Sequence, residues 1–271
     1  MPSEKDILIV EDSPTQALLL KHLLESYPYP VSVARNGAEA LVRIRERPPL
    51  LVISDFIMPG TNGRDLCLQV RNDPALKAIP FILMTAQSDP VTGLEPPEKG
   101  GPDAFLAKPV AREQLDQILA MLLTRKGSPA APDLAVSDSE PAPETDLPVF
   151  DGRRLKENIG GDIQLYHRII ATFVEEFPKR FASLEQALKD GNRQVVELIA
   201  HSIKGAATTI GGERLQMEAM AMEKSALSAE LAKLREMLAP LLQEYERLNA
   251  VLLSDLPGDM GSRGGAEGTN K

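Results

Sequence analysis

Residues 7–12 read Ile7-Leu8-Ile9-Val10-Glu11-Asp12, four consecutive apolar residues followed directly by two acids. A short apolar run without polar alternation is typical of a β-strand that is buried on both faces, as in parallel sheets. Because the strand is predicted to end where the acids begin, this stretch places two carboxylates at the carboxyl edge of a sheet. That edge is where open α/β sheets bind their ligands.

Four further apolar runs follow, each separated from the next by a region with room for a helix. The predicted strands are 7–10, 31–34, 50–54, 81–84 and 104–107, and the predicted helices are 14–25, 38–46, 63–72 and 111–123. Strands that alternate with helices indicate a parallel sheet covered on both faces. The first half of the chain is therefore predicted to be an α/β domain, a (βα)5 doubly wound parallel sheet.

Polar residues with complementary chemistry follow the predicted strands. Glu11 and Asp12 come after the first, Asp55 after the third, Thr85 after the fourth and Lys108 after the fifth. Carboxylates held close together repel one another, and a hard cation with oxygen ligands removes that cost, which favours Mg²⁺. An ammonium and a hydroxyl at the same edge suit phosphoryl oxygens.

These motifs resemble the receiver domain of response regulators, the CheY-like fold. The resemblance is carried by residues 7–13 (ILIVEDS), 55–63 (DFIMPGTNG), 84–86 (MTA) and 105–109 (FLAKP). It implies that Asp55 is the phosphoacceptor and that Lys108 holds the phosphoryl group. It also implies that Thr85 and Phe105 form a coupled switch. Mg²⁺ is expected at Asp12, Asp55 and the Ile57 carbonyl, with Glu11 acting mostly through water.

One segment departs from this family pattern. Residues 88–102 contain four prolines and three glycines, which makes a regular fourth helix unfavourable. The family often dimerises through the face that this helix helps to build. We therefore expect no phosphorylation-driven dimer through that face, and a monomeric protein.

The amino-acid composition changes sharply between the two halves of the chain, and again at its end. Residues 127–148 hold five prolines and five acids without Lys or Arg, and residues 257–271 hold five glycines. Such segments bury too little apolar surface to offset their ordering entropy. We predict a receiver domain at 1–126, a Pro-rich acidic linker at 127–148, an all-α bundle at 149–256 and a disordered Gly-rich tail at 257–271.

Overall composition narrows the functional classes. The chain has 271 residues and a formal net charge of −9, and no Lys/Arg cluster provides the basic face that nucleic-acid binding needs. Its single cysteine excludes a disulfide framework within one chain. Residues 1–6 do not resemble a secretory signal, and the longest apolar run is too short to span a membrane. We expect a cytoplasmic protein without membrane insertion.

The second half reads as helices that break at residues 160–161, 191, 211–212 and near 227–228. This pattern predicts an antiparallel helical bundle. Pro178 and Pro240 fall inside predicted helices, so we expect kinks or local breaks there.

A helical wheel separates His201 from the apolar arc of its helix, with Lys204 one turn further on. A neutral imidazole is a competent phosphoryl nucleophile, and a neighbouring ammonium suits an incoming anion. The wheel predicts an exposed imidazole, and burial of His201 would contradict any phosphoryl transfer that depends on this exposure. His22 and His167 lack such neighbours and are interpreted as surface or packing residues, and Cys67 as a small core residue.

The His201-x-x-Lys204-Gly205 motif, with Gly211 six residues later, resembles the histidine phosphotransfer (HPt) domain. Leu215 and Glu223 also fit the following helix of that family. The combined resemblance implies a phosphorelay intermediate between an upstream sensor histidine kinase and a downstream receiver protein, and not an enzyme with its own ATP-binding kinase module. A phosphorylation-gated adaptor, whose two domains bind separate partners, is the alternative. A small-molecule-binding α/β domain is disfavoured because no glycine-rich phosphate loop follows the first strand.

Overall fold

The computed structural model describes residues 5–86, 96, 99–124 and 147–257. The chain divides into two compact units, residues 1–146 and 147–271. The predicted linker and tail lie almost entirely outside the described residues, as does most of the proline-rich segment 88–102. The boundaries proposed for these segments stay predictions.

Unit 1 contains a five-stranded parallel sheet with the strand order β2-β1-β3-β4-β5. The strands are β1 (Ile7–Val10), β2 (Val31–Ala34), β3 (Leu51–Asp55), β4 (Phe81–Thr85) and β5 (Ala104–Ala107). Every residue of β1, β3 and β4 is buried, which explains their unbroken apolar runs. The predicted doubly wound sheet is confirmed, and its order is that of flavodoxin-like folds.

Unit 1 has four helices among its described residues. They are α1 (Pro14–Leu24), α2 (Gly37–Glu46), α3 (Gly63–Asn72) and α4 (Arg112–Thr124). The side chains of Asn36 and Asn62 accept hydrogen bonds from Glu39 N and Asp65 N, so each supplies an acceptor to the free N–H groups of a first turn. All four predicted helices are present within one residue of their predicted bounds.

The amino-terminal end of β5 is fixed by the buried side chain of Arg71. Its guanidinium lies 2.6 Å from Asp103 Oδ2 and donates to the carbonyls of Gly101 and Ile79. Asp103 Oδ2 in turn accepts from Phe81 N at 2.6 Å. This network links α3 to the amino-terminal ends of β4 and β5. It thereby holds the carboxyl-terminal ends of the two strands in register.

Unit 2 is a helical bundle. Its helices are α5 (Arg153–Asn158), α6 (Ile163–Asp190), α7 (Arg193–Ile210), α8 (Glu213–Ser225) and α9 (Leu231–Asp255). The four predicted breaks are confirmed, and Gly191 and Gly211 end their helices in the left-handed conformation that glycine tolerates. Turns of two to five residues connect α6 to α9, which makes successive helices antiparallel.

The helices continue through both proline positions. Helix α6 runs through Pro178 and helix α9 through Pro240, so the predicted local breaks are absent, while kinks there stay a prediction. Each proline removes one hydrogen bond, but tertiary packing holds the helix around it. Phe177 and Phe181 flank Pro178 in the core, where both contact Tyr245 of α9, and buried Leu241 follows Pro240.

Among the described residues, no helix combines the length and the apolar character that crossing a membrane requires.

Candidate functional sites: an acidic pocket and a buried histidine

The first site lies at the carboxyl edge of the sheet in unit 1. Glu11 and Asp12 follow β1, Asp55 ends β3, and Lys108 follows β5. One oxygen from each of the three carboxylates lies within 4.8 Å of the other two. Lys108 Nζ lies 2.7 Å from Asp55 Oδ2 and 3.0 Å from Glu11 Oε2. The predicted convergence of the three carboxylates with Lys108 is therefore confirmed.

Backbone contacts hold Asp55 in place. Phe56 N donates to Met84 O on β4, and Gly63 N donates to Phe56 O. A Cβ atom on Gly63 would lie 2.0 Å from the carbonyl oxygen of Asp55, so only glycine lets the start of α3 approach so closely. The loop from Asp55 to Gly63 is thus closed tightly beneath the carboxylate.

The charges in the pocket are strongly coupled. Burial raises the pKa of Glu11 to about 8, with Asp55 and Asp12 adding to the effect while Lys108 opposes it. Burial alone would lower the pKa of Lys108, but the Asp55 and Glu11 carboxylates outweigh it and raise that pKa. The pocket therefore holds more negative charge than one ammonium neutralises.

The oxygen atoms of the pocket fit a hard divalent cation. Asp55 Oδ1 is buried and has no hydrogen-bond partner among the residues that the structure describes. An unpaired buried carboxylate oxygen is costly, and a metal ligand bond would satisfy it. Carboxylate oxygens with space for water are the ligands that Mg²⁺ prefers.

Thr85 lies on β4, the strand next to that of Asp55, and Phe105 lies on β5, the strand beyond it. Thr85 is the last residue of β4 and is buried, and Lys108 N donates to its carbonyl at 2.7 Å. Phe105 of β5 pairs with Leu83 in the sheet register, and its half-buried ring packs against the apolar core. The two side chains are therefore on adjacent strands, as a coupled switch requires.

The second site lies between α7 and α8 in unit 2. His201 Nδ1 lies 2.7 Å from Glu223 Oε1. Lys204 Nζ lies 2.8 Å from Glu223 Oε2 and 3.4 Å from His201 Nδ1. The neighbouring residue, Ser202, accepts a hydrogen bond from Arg180 of α6. His201, Ser202 and Lys204 thus form a row of polar contacts between α7 and its two neighbouring helices, which we call the polar seam.

The prediction that His201 is exposed is wrong. The residue is 4% exposed and Lys204 is 7% exposed. The helical wheel separates apolar from polar positions, but α7 also packs against α8 along its polar side, through Glu223. The imidazole is therefore buried through its contacts with polar side chains and not through apolar packing.

The hydrogen bond to Glu223 selects one tautomer of neutral His201. A carboxylate only accepts, so Nδ1 carries the proton and Nε2 keeps its lone pair. Burial opposes ionisation of Glu223, but hydrogen bonds from His201 and Lys204 outweigh it and lower the pKa of this carboxyl. The sequence indicates Glu223 only as a position that fits the HPt pattern, because its pairing with His201 depends on how α8 packs.

The remaining single residues agree with their interpretation. His22 lies 3.7 Å from Glu25 on the surface of α1, and the ring of His167 packs edge-on against Tyr166. Cys67 is buried in the core of unit 1. None of the three lies in either site.

Comparison with known proteins agrees with this division. Residues 7–120 match the family model of the response regulator receiver domain, and residues 168–251 match that of the Hpt domain. Protein PilH of Pseudomonas aeruginosa is 36% identical over 109 residues, which are 40% of this chain and 89% of PilH. Sensor protein EvgS of Escherichia coli is 29% identical over 218 residues, which are 79% of this chain and 16% of EvgS.

A solved structure gives a similar match. The signal receiver domain of a signal transduction histidine kinase from Syntrophus aciditrophicus is 38% identical, covers 49% of this chain and 99% of its own, and has a TM-score of 0.41. The matched segments span 64% and 61% of the length of two curated response regulators, MtrA of Mycolicibacterium smegmatis and PhoB of Rhizobium meliloti.

The chain belongs to the response regulator receiver family and carries an Hpt domain in its second unit. Both are phosphotransfer modules, and their combination is that of two-component phosphorelay signal transduction.

Proposed function

We propose that the protein is a phosphorelay intermediate that passes a phosphoryl group between Asp55, His201 and partner proteins. The observation that carries the proposal is the state of Asp55. One of its carboxylate oxygens is held by Lys108, and the other is buried without a hydrogen-bond partner among the described residues. A buried carboxylate with one oxygen held by an ammonium and the other without a hydrogen bond suits nucleophilic attack on phosphorus.

At Asp55, a carboxylate oxygen would attack the phosphorus of a phosphohistidine on a separate histidine kinase. The P–N bond breaks, the imidazole leaves, and an acyl phosphate forms. Lys108 would compensate the added charge, which is worth about −1.5 to −2 at neutral pH. Thr85 would donate to a phosphoryl oxygen, and Phe105 on the adjacent strand would follow its movement.

Asp12, Asp55 and the Ile57 carbonyl are the proposed Mg²⁺ ligands, with Glu11 acting mostly through water. When bound, the cation would stabilise the charge on the phosphoryl oxygens during transfer.

At His201, the lone pair of Nε2 is the proposed nucleophile. Glu223 orients the ring by accepting the proton of Nδ1, and it holds Lys204 by an ion pair. Because the imidazole is buried in this state, transfer requires side chains of the seam to move when a receiver domain docks. The phosphoryl group would then pass to the aspartate of another receiver protein.

Transfer within one chain is physically feasible. The 22 residues 127–148 extend to at most roughly 70 Å, and tethering gives effective concentrations near millimolar. An upstream histidine kinase, a downstream receiver protein, a monomeric state, a cytoplasmic location and the absence of nucleic-acid binding complete the proposal.

The test uses the full chain with a phosphorylated histidine kinase as donor. The relay predicts that Asp55→Asn abolishes labelling of His201, and that His201→Gln leaves labelling of Asp55 intact. Labelling of His201 in the Asp55→Asn chain at the rate of the unmodified protein would contradict the relay.

A second candidate, a phosphorylation-gated adaptor, is favoured by the burial of His201. In that function the two units bind separate partners, and phosphate at Asp55 changes access to the bundle. Partner binding that responds to beryllofluoride, without any phosphate on His201, would support the adaptor over the relay.

A further inference from the structure

The His201 site contains a third acidic charge that the relay does not use. Glu197 precedes His201 by four residues on α7, so the two side chains lie on the same helical face, with Cβ atoms about 6 Å apart. It is half-buried. Within the described part of the chain, no hydrogen bond or ion pair of its carboxylate is found.

The neighbouring charges do not neutralise Glu197. Lys204 is within 2.8 Å of Glu223, and the two form a neutral pair. Burial and repulsion from Glu223 raise the pKa of Glu197, while His201 lowers it, so all three groups share one electrostatic environment. Arg180 of α6 donates a hydrogen bond to Ser202 Oγ and lies 3.9 Å from Glu176.

We infer that Glu197 tunes the energy of phosphorylated His201, disfavouring it and so driving the phosphoryl group onward to the next aspartate. Phosphorylation would add about one to two negative charges close to the Glu197 carboxylate, which has no hydrogen bond or ion pair within the described residues. The inference rests on the proposed role of His201 as an acceptor. Glu197 acts through charge and is not a nucleophile, an acid or a base in the transfer.

The test measures an equilibrium, because an equilibrium ratio does not depend on how fast a partner docks. The full chain carrying Asp55→Asn is equilibrated with phosphoramidate and ammonium at a fixed ratio. The Nε2 lone pair attacks phosphorus, the P–N bond of phosphoramidate breaks, and ammonia leaves and is protonated by the buffer. The ratio of phosphorylated to free His201 is read by ³¹P NMR.

Glu197→Gln is expected to raise this ratio about fivefold at low ionic strength and only about twofold at 0.15 M salt, because two charges at such a distance are screened. Glu197→Asp, which keeps the charge, should stay near the unmodified ratio. Glu246→Gln removes the same charge from an exposed position of α9 and should leave the ratio unchanged.

Equal ratios for Glu197→Gln and the unmodified chain would overturn the inference, as would an equal increase for Glu246→Gln. Absence of phosphohistidine in every variant, both with phosphoramidate and after incubation with a phosphorylated receiver domain, would instead contradict the proposed acceptor role of His201.

Discussion

The two phosphoacceptor candidates are built in opposite ways. Asp55 lies at the end of a buried strand, and its surroundings come from three strands and their following loops. His201 lies in the middle of a helix, and its surroundings come from Lys204 one turn away and Glu223 of the next helix. The three carboxylates around Asp55 carry more negative charge than Lys108 neutralises, whereas the imidazole of His201 already has a partner in Glu223. Under the proposed relay, the first site would bind a cation, and the side chains around the second would have to move apart.

The largest effect is expected from Lys108, the one ammonium bound to Asp55. Lys108→Ala should lower the rate of Asp55 phosphorylation about 100-fold or more, because no other side chain among the described residues contacts Asp55 with a positive charge. Lys77→Ala, on an exposed position of the same unit, is the matched control. A rate within threefold of the unmodified protein would mean that charge neutralisation at Asp55 comes from elsewhere.

Gly63 tests how tightly the strand-end site is closed. Gly63→Ala should destabilise unit 1 by about 3 kcal/mol, since the new Cβ would lie 2.0 Å from Asp55 O and the backbone must move. Gly60→Ala is the control, because Gly60 has a positive φ but no atom within 4 Å of the added Cβ. Its cost is expected at about 1 kcal/mol. Thermal unfolding measures both, and equal losses would show that the loop is not closed as described.

Glu223 is the corresponding test for the helical site. Glu223→Ala should lower the rate of His201 phosphorylation about tenfold, because the ring loses the acceptor that fixes its tautomer. Glu223→Gln keeps an acceptor oxygen and should retain most of the rate. If Glu223→Ala transfers faster than the unmodified protein, Glu223 blocks access to the imidazole more than it orients the ring.

The smallest effect expected is a pH dependence in unit 1. The pKa of Glu11 is raised from 4.5 to about 8 in the folded state, so the folded protein binds this proton more tightly than the unfolded chain does. Stability from this group is present below pH 4.5 and is lost as the pH rises toward 8. Added Mg²⁺ should therefore increase the melting temperature more at pH 8 than at pH 5. Glu11→Gln should remove most of that difference, and a stabilisation by Mg²⁺ independent of pH in the unmodified protein would contradict the argument.

The strand-end site could be predicted from the sequence because its geometry follows from local order. Once β1, β3 and β5 are recognised as parallel strands, Asp12, Asp55 and Lys108 must meet at one edge. The environment of His201 could not be predicted in the same way. Its contact with Glu223 depends on the packing of α8 against α7, and a wheel drawn for one helix does not contain that information.

The proline positions show the same limitation. Local propensity predicts a break at Pro178, but the aromatic residues on either side of it are anchored in the bundle core, and this packing outweighs one lost hydrogen bond. Local rules thus succeeded where a single strand or turn decides the structure, and failed where a neighbouring helix decides it.

The first residues of unit 2 are fastened to the turn between α7 and α8. Asp151 N donates to Gly211 O at 2.8 Å, and Arg214 donates to the carbonyl of Leu147 at 2.7 Å. Gly211 is ten residues beyond His201, about 15 Å along the helix axis. The chain therefore enters the bundle about 15 Å along α7 from the imidazole. If residues 127–146 form the predicted linker, transfer within one chain would have to cover this distance in addition to the span of the linker.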